Sequence, residues 1–146
     1  MILHHYPVWK EEAHLAVMAR VETSSGQAIE QLWARKVTHD SHVLCCVPAY
    51  TRDLRLGDLV EVDEDFFITR VLKPSERHLI RILFKTDDVD GRRRLHTGLH
   101  DSGALVEVID DSYWVVDVCC SEVLSGVTES LESVDYVDLI KWKIVD

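Results

Sequence analysis

The chain has 146 residues, 47% hydrophobic and 29% charged, with six Gly and three Pro. That suits one domain or two very small ones with a true core, and it excludes a low-complexity chain. Sixteen Lys and Arg against 26 Asp and Glu give a net charge of -10, which excludes nucleic acid as the main partner, because phosphate neutralisation needs a basic surface. A basic protein partner stays open.

Leu15, Val17, Ala19 and Val21 alternate with His14, Met18 and Arg20 over residues 13–21, the period of a half-buried strand. Ser24-Ser25-Gly26 turns the chain into a second strand, residues 29–37, carrying Leu32 and Trp33. Thr38 to Ser41 is turn chemistry, and residues 43–47 read as a short buried strand ending at Pro48. Leu56-Gly57-Asp58 introduces residues 59–63, where Val60 and Val62 alternate with Glu61 and Asp63; Glu64-Asp65 then turns into residues 66–72. Five short strands and tight turns predict a small barrel or a curled antiparallel sheet over residues 1–76.

The second half has another rhythm. Residues 78–85 form a strand with Ile80, Ile82 and Phe84 on one face, and residues 88–102 a helix with Leu95 and Leu99 inward, stopped at Gly103. Residues 104–109 and 113–120 pair as a hairpin around Asp110-Asp111-Ser112. Ser121 is the expected N-cap of a helix carrying Leu124, Val127, Leu131 and Val134, and residues 137–145 are the last strand. The order βαββαβ is the ferredoxin-like pattern. The expected class is therefore α+β, with the N-terminal subdomain packed on a ferredoxin-like subdomain over residues 77–146. The helix-covered face takes Ile80, Ile82 and Phe84, Val106 and Val108, Trp114, Val116 and Val118, and Ile140, Trp142 and Ile144. Arg81, Glu107, Asp117, Lys141 and Lys143 fall on the other.

The longest apolar runs, Leu15 to Ala19 and Val43 to Val47, are far short of the ~18 residues of a membrane span, so no membrane partner is expected. Met1-Ile-Leu-His-His-Tyr-Pro has neither a basic region nor a long apolar stretch, which predicts a cytoplasmic protein. His4-His5 reads as a frayed terminus. Cys45-Cys46 and Cys119-Cys120 are adjacent pairs in β-branched segments. Neighbours on a strand point to opposite faces, and neither Cys-x2-4-Cys nor Cys-x-x-Cys spacing occurs, so all four read as small core hydrophobes. His96 and His100 stand at i, i+4 without the Glu of a zinc-protease motif, and read as an exposed helical face. No metal and no cofactor are expected.

Three acidic clusters fall at predicted turns: Glu61, Asp63, Glu64 and Asp65; Asp87, Asp88 and Asp90; Asp110 and Asp111. A catalytic carboxyl pair needs an apolar pocket to raise one pKa, and Asp87 to Gly91 lacks the rest of a calcium loop. Solubilising charge and recognition of a basic partner remain. Arg92-Arg93-Arg94 is the only basic run; it could grip a carboxylate or phosphate, but a solvated face, or pairing with Asp87, Asp88 and Asp90 just upstream, is the favoured reading. Trp9, Tyr50, Phe66 and Phe67 are core residues by default and otherwise interface anchors. With no Gly-x-Ser-x-Gly, phosphate loop or dinucleotide fingerprint, an enzyme is not expected.

At Glu30 to Arg35, Val47 to Tyr50 and Leu54 to Val60 the sequence resembles a family of small bacterial proteins described only as a domain of unknown function. Leu32-Trp33-Ala34 and Leu56-Gly57-Asp58 match its pattern, and Val115 to Val118 resembles a later segment. Asp53, Ala49 and Cys119 depart from it. The resemblance covers residues 28–120 and implies no catalytic residue. At the level of class, a small acidic chain without catalytic motifs resembles the immunity proteins of polymorphic toxin systems. The resemblance implies one-to-one binding of a cognate toxin domain, encoded by a neighbouring gene, and block of its active site; the acidic charge makes that partner a basic one, met by the nine carboxylates above. The alternative is a small-ligand or regulatory module. A third reading is an enzyme with a diffuse site around Arg92 to Arg94 and His96/His100.

Overall fold

The computed structural model describes residues 1–146. The class is α+β: nine strands in two antiparallel sheets, with two helices. The chain divides into two compact units, Met1–Ser75 and Glu76–Asp146.

The first unit is a meander of β1 (Leu15–Thr23), β2 (Gly26–Lys36), β3 (Ser41–Leu44), β4 (Leu59–Val62) and β5 (Ile68–Lys73), each pairing antiparallel with the next. The β1–β2 register runs from Leu15 opposite Ala34 to Thr23 opposite Gly26. That register puts Val17, Ala19, Leu32 and Ala34 on the same face, where they join Leu44, Val60 and Val62, and the segment between β3 and β4 adds Cys46 and Leu54. No barrel closes. β1 and β5 stay edges, and where β1 meets the turn before β5 the pairing is an isolated bridge between Met18 and Phe67, not a ladder. Closure needs a continuous staggered ladder, whereas β3 and β4 have four residues each and the β4–β5 ladder shifts register twice. Arg70 and Lys73 leave β5 a charged edge.

Entry into β4 depends on one glycine. Gly57 has φ +84, and a Cβ there would lie 3.2 Å from Ser75 Cβ and 3.3 Å from the Trp9 ring. Asp58, beside it, accepts from Arg55 N at 2.9 Å and from Ser75 N at 2.8 Å. Gly57→Ala is expected to cost about 1–3 kcal/mol, left-handed strain plus crowding. A lower denaturant midpoint at unchanged m-value would show it; an unmoved midpoint would mean that the turn relaxes.

The second unit runs β6 (His78–Phe84), α1 (Val89–Asp101), β7 (Leu105–Asp110), β8 (Tyr113–Val118), α2 (Ser121–Leu131) and β9 (Ile140–Val145), with strand order β7-β8-β6-β9, all antiparallel. Leu95 and Leu99 of α1 and Val127 and Leu131 of α2 pack with Ile80, Ile82, Trp114, Val116, Val118 and Ile140. Phe84, Val106, Trp142 and Ile144 flank this core, while Val108 is exposed. α2 stops at Leu131, short of Val134, which is exposed. Cys120, not Ser121, is its N-cap.

Candidate functional site

The acidic turn between β4 and β5 has two kinds of carboxylate. Glu61 accepts from Thr69 Oγ1 at 3.1 Å and from Arg70 at 3.2 and 3.3 Å, and the Arg70 hydrogen bonds hold its carboxyl below the ordinary range. Asp63 Oδ1 accepts from the amides of Asp65 at 2.9 Å and Phe67 at 3.0 Å, and its carbonyl accepts from Phe66 N at 3.0 Å. This lock holds Phe66 at φ +65, a left-handed conformation that a bulky residue rarely adopts. Phe66 is 44% exposed, and its ring stands edge-on to His42 with centroids 6.2 Å apart. Glu64 and Asp65 are the exposed turn residues of the tip, and neither carboxylate is taken up by a neighbouring donor. The tip therefore offers two uncommitted acids beside a half-exposed aromatic ring.

In the second unit the other two clusters come together at one end, joined by Arg92. Its guanidinium donates to the carbonyls of Asp111 and Thr86, lies 4.4 Å from the Phe84 ring centroid and 3.7 Å from Asp87. The anion-gripping reading of Arg92 is thereby corrected: its planar fork is spent on backbone carbonyls. Arg93 pairs with Asp90 at 3.7 Å. Asp88 caps α1 through Gly91 N at 2.9 Å, and Asp110 accepts from Ser112 N at 2.8 Å and Ser112 Oγ at 3.0 Å. Asp88 and Asp110 thus do local work, Asp87 and Asp90 form loose surface pairs, and Asp111 engages through its carbonyl. His96 and His100 are exposed on α1, with His96 edge-on to Trp114 at 5.5 Å.

The strongest polar centre of the first unit is one that sequence patterning alone does not single out. Glu30, on β2, is fully buried. Its carboxylate accepts from His4 Nε2 at 2.6 Å, from the amides of Ala49, Tyr50 and Thr51 at 2.6, 3.0 and 3.0 Å, and from Thr51 Oγ1 at 2.8 Å. Burial pushes this carboxyl up, but the His4 ring and the amides outweigh it and hold the pKa below 4.5. His4 is buried here, not frayed, and Ile2 pairs with β2 at Glu30. The available signal was an acid on the inward period of a strand, between Ala28 and Leu32. His42 is also buried, with both ring nitrogens unpartnered, and desolvation lowers its pKa below 6.5. Both groups are enclosed, so their role is structural.

Of the aromatic candidates, Trp9 is half-buried against Gly57, Tyr50 is partly exposed with its amide on Glu30, and Phe67 lies under the Arg20 guanidinium at 3.9 Å. Cys45 and Cys46 are buried just beyond β3 rather than within a strand, and burial pushes the Cys45 thiol up to about 11. The core reading of Cys119 and Cys120 is corrected: both are exposed, at the junction of β8 and α2. The strand period ends at Val118, so their side chains no longer diverge.

No helix is long and apolar enough to cross a membrane. A search of curated proteins finds no match. Among solved structures, one described as a novel crystal structure of a hypothetical protein from Neisseria gonorrhoeae is similar, with a TM-score of 0.72 at 15% identity, covering 90% of this chain and 95% of that one. At that identity the likeness is one of fold. The family described as a domain of unknown function, DUF4265, matches residues 30–142, and with most of its length inside that match the chain belongs to this family.

Proposed function

We propose that this protein is an immunity protein that binds one cognate bacterial toxin domain, one-to-one, and blocks its active site through the β4–β5 tip. The observation that carries the reading is Phe66, held left-handed and half-exposed beside the uncommitted Glu64 and Asp65. A strained non-glycine residue costs about 1–3 kcal/mol and persists where the surroundings enforce it, most often at functional sites. An aromatic anchor flanked by acids suits the basic cleft of an enzyme that acts on a polyanion. The ring supplies the buried contact and the carboxylates supply steering. In the same reading the second unit is a ferredoxin-like sheet, supported by its β-α-β-β-α-β order, and it contributes solubilising charge.

The small-ligand alternative has weaker support. An open cavity of about 450 Å³ is lined by Met1, Arg20, Gln27, Ala28 and Ile29, and its one charged side chain, Arg20, already stacks on Phe67.

Co-expression with a toxin domain encoded beside the gene tests the proposal. Toxin alone should stop growth and the wild-type protein should restore it. Phe66→Gly removes the ring together with the strain, so the variant is expected to stay folded yet bind at least about 30-fold more weakly. Glu64→Gln with Asp65→Asn should slow association and flatten its salt dependence. Asp87→Asn with Asp90→Asn should leave protection intact. Protection that survives the loss of Glu64, Asp65 and Phe66 together would remove the tip, and a neighbouring toxin that neither binds nor is neutralised would remove the immunity reading.

A further inference from the structure

Cys119 and Cys120 form a thiol pair that stands apart from the toxin-binding reading. Both are exposed, and Cys119 Sγ donates to Cys120 Sγ across 3.3 Å. Cys120 is the N-cap of α2 in extended conformation (φ -157, ψ 167), and no side-chain oxygen closes the cap. The first-turn amides of Glu122 and Val123 therefore face sulfur, and an anion at a helix N-terminus is favoured by those amides and by the dipole. Arg77, bound to Asp117 two residues before Cys119, adds positive charge near both sulfurs.

We propose that Cys119–Cys120 is a reversible oxidation site for hydroperoxides, with Cys120 the attacking thiolate and Cys119 the resolving thiol. The asymmetry of the pair sets these roles. The Val123 and Glu122 amides and the Cys119 hydrogen bond lower the Cys120 pKa, while donating to Cys120 raises that of Cys119. An exposed thiolate beside a resolving thiol is the arrangement that oxidises selectively.

In the first step the Cys120 thiolate attacks one oxygen of the hydroperoxide and the O–O bond breaks. The departing alkoxide takes a proton and leaves as an alcohol, or as water from hydrogen peroxide, and Cys120 becomes a sulfenic acid, oxidised by two electrons. In the second step Cys119 sulfur attacks Cys120 sulfur. An S–S bond forms, the S–O bond breaks, and hydroxide leaves with the Cys119 proton as water. Two thiols and one hydroperoxide thus give one disulfide, one alcohol and one water.

The sulfurs need only close from 3.3 Å to about 2.05 Å. Adjacent Cα atoms across a trans peptide are about 3.8 Å apart, below the ~4.4–6.8 Å usual for a disulfide, so the ring is strained and readily reduced. Cys45 and Cys46, fully buried, have no such access.

The test treats the reduced full-length chain with hydrogen peroxide and follows intact mass, peptide mapping and dimedone labelling. Wild type should lose two hydrogens, with the bond mapped to Cys119–Cys120 and reversed by a dithiol reductant. Cys119→Ser should give a dimedone adduct on Cys120, and Cys120→Ser should react on the order of tenfold more slowly at Cys119. Both substitutions are at exposed positions, and circular dichroism establishes that each variant is folded. Equal labelling of the two sulfurs, first oxidation at Cys45 or Cys46, or no disulfide in the folded wild type would each overturn the proposal.

Discussion

Glu30→Ala is expected to lower the stability of the first unit by about 3–5 kcal/mol, the range for removing one partner from a buried charged network. The substitution removes the one carboxylate that accepts from the amides of Ala49, Tyr50 and Thr51, the Thr51 hydroxyl and the His4 ring, at a position that is itself fully buried, and each donor bond lost there carries a desolvation cost. Glu30→Gln keeps the shape and one acceptor oxygen but, whichever way the amide is turned, sets an NH2 against at least one backbone amide, which can only donate, so about 1–3 kcal/mol is expected. The pH dependence has a definite sign. A carboxyl whose folded pKa lies below its ordinary 4.5 contributes stability that is complete above the ordinary value and is lost as pH falls through the folded one. Wild type should therefore weaken below about pH 4.5, and Glu30→Gln should flatten that decline. Urea titrations over a pH series measure both; wild-type and Glu30→Gln profiles that run parallel would show that Glu30 carries no acid-labile stability.

The second unit was the more legible half because its signal is local. Ile80 and Ile82, Trp114, Val116 and Val118, and Ile140 recur every second residue and enter the helix-covered core, as the alternation of side chains on a strand requires. The turn roles of Asp63, Asp88 and Asp110 are equally local, since each accepts an amide two to four residues on. What remains once those are assigned is Glu61, Glu64, Asp65, Asp87, Asp90 and Asp111; only the structure takes Glu61 out through Arg70 and pairs Asp87 and Asp90 with arginines, and the left-handed turn that displays Phe66 left no mark in the sequence.

Glu30 is a different case. Its amide donors lie 19 to 21 residues away and belong to Ala49, Tyr50 and Thr51, and backbone donors leave no mark in a sequence. Of the two expectations for the first unit, a small barrel or a curled antiparallel sheet, the barrel failed for a related reason: alternation states which face is inward but not whether the first and last strands pair. Cys119 and Cys120 show where the period-two rule stops. It separates neighbours only while the strand continues, and β8 ends one residue earlier, at Val118.

Arg77→Ala is expected to cost the second unit about 3–5 kcal/mol, more than Asp117→Asn. The guanidinium holds Asp117 through Nε at 2.9 and 3.0 Å and Nη2 at 2.5 Å, with the carboxylate side chain 2% exposed and that of Arg77 21% exposed. Removing the arginine takes a three-contact partner from a carboxylate whose side chain is 2% exposed. Removing the aspartate charge leaves a guanidinium that can turn outward. Asp117 stands opposite Leu79 of β6 and Leu105 of β7, so the weakened site sits between both neighbours of β8, and loss of the central ladder is the expected mode of unfolding. The double variant Arg77→Ala/Asp117→Asn removes both charges and should be less destabilised than the sum of the two, by a coupling of about 0.5–3 kcal/mol. Moderate salt should leave the coupling nearly unchanged, since a pair this enclosed is poorly screened. A double-mutant cycle by denaturant unfolding at low and high salt measures each quantity. Additive single effects, or a coupling that disappears in salt, would place the pair at a solvated surface instead.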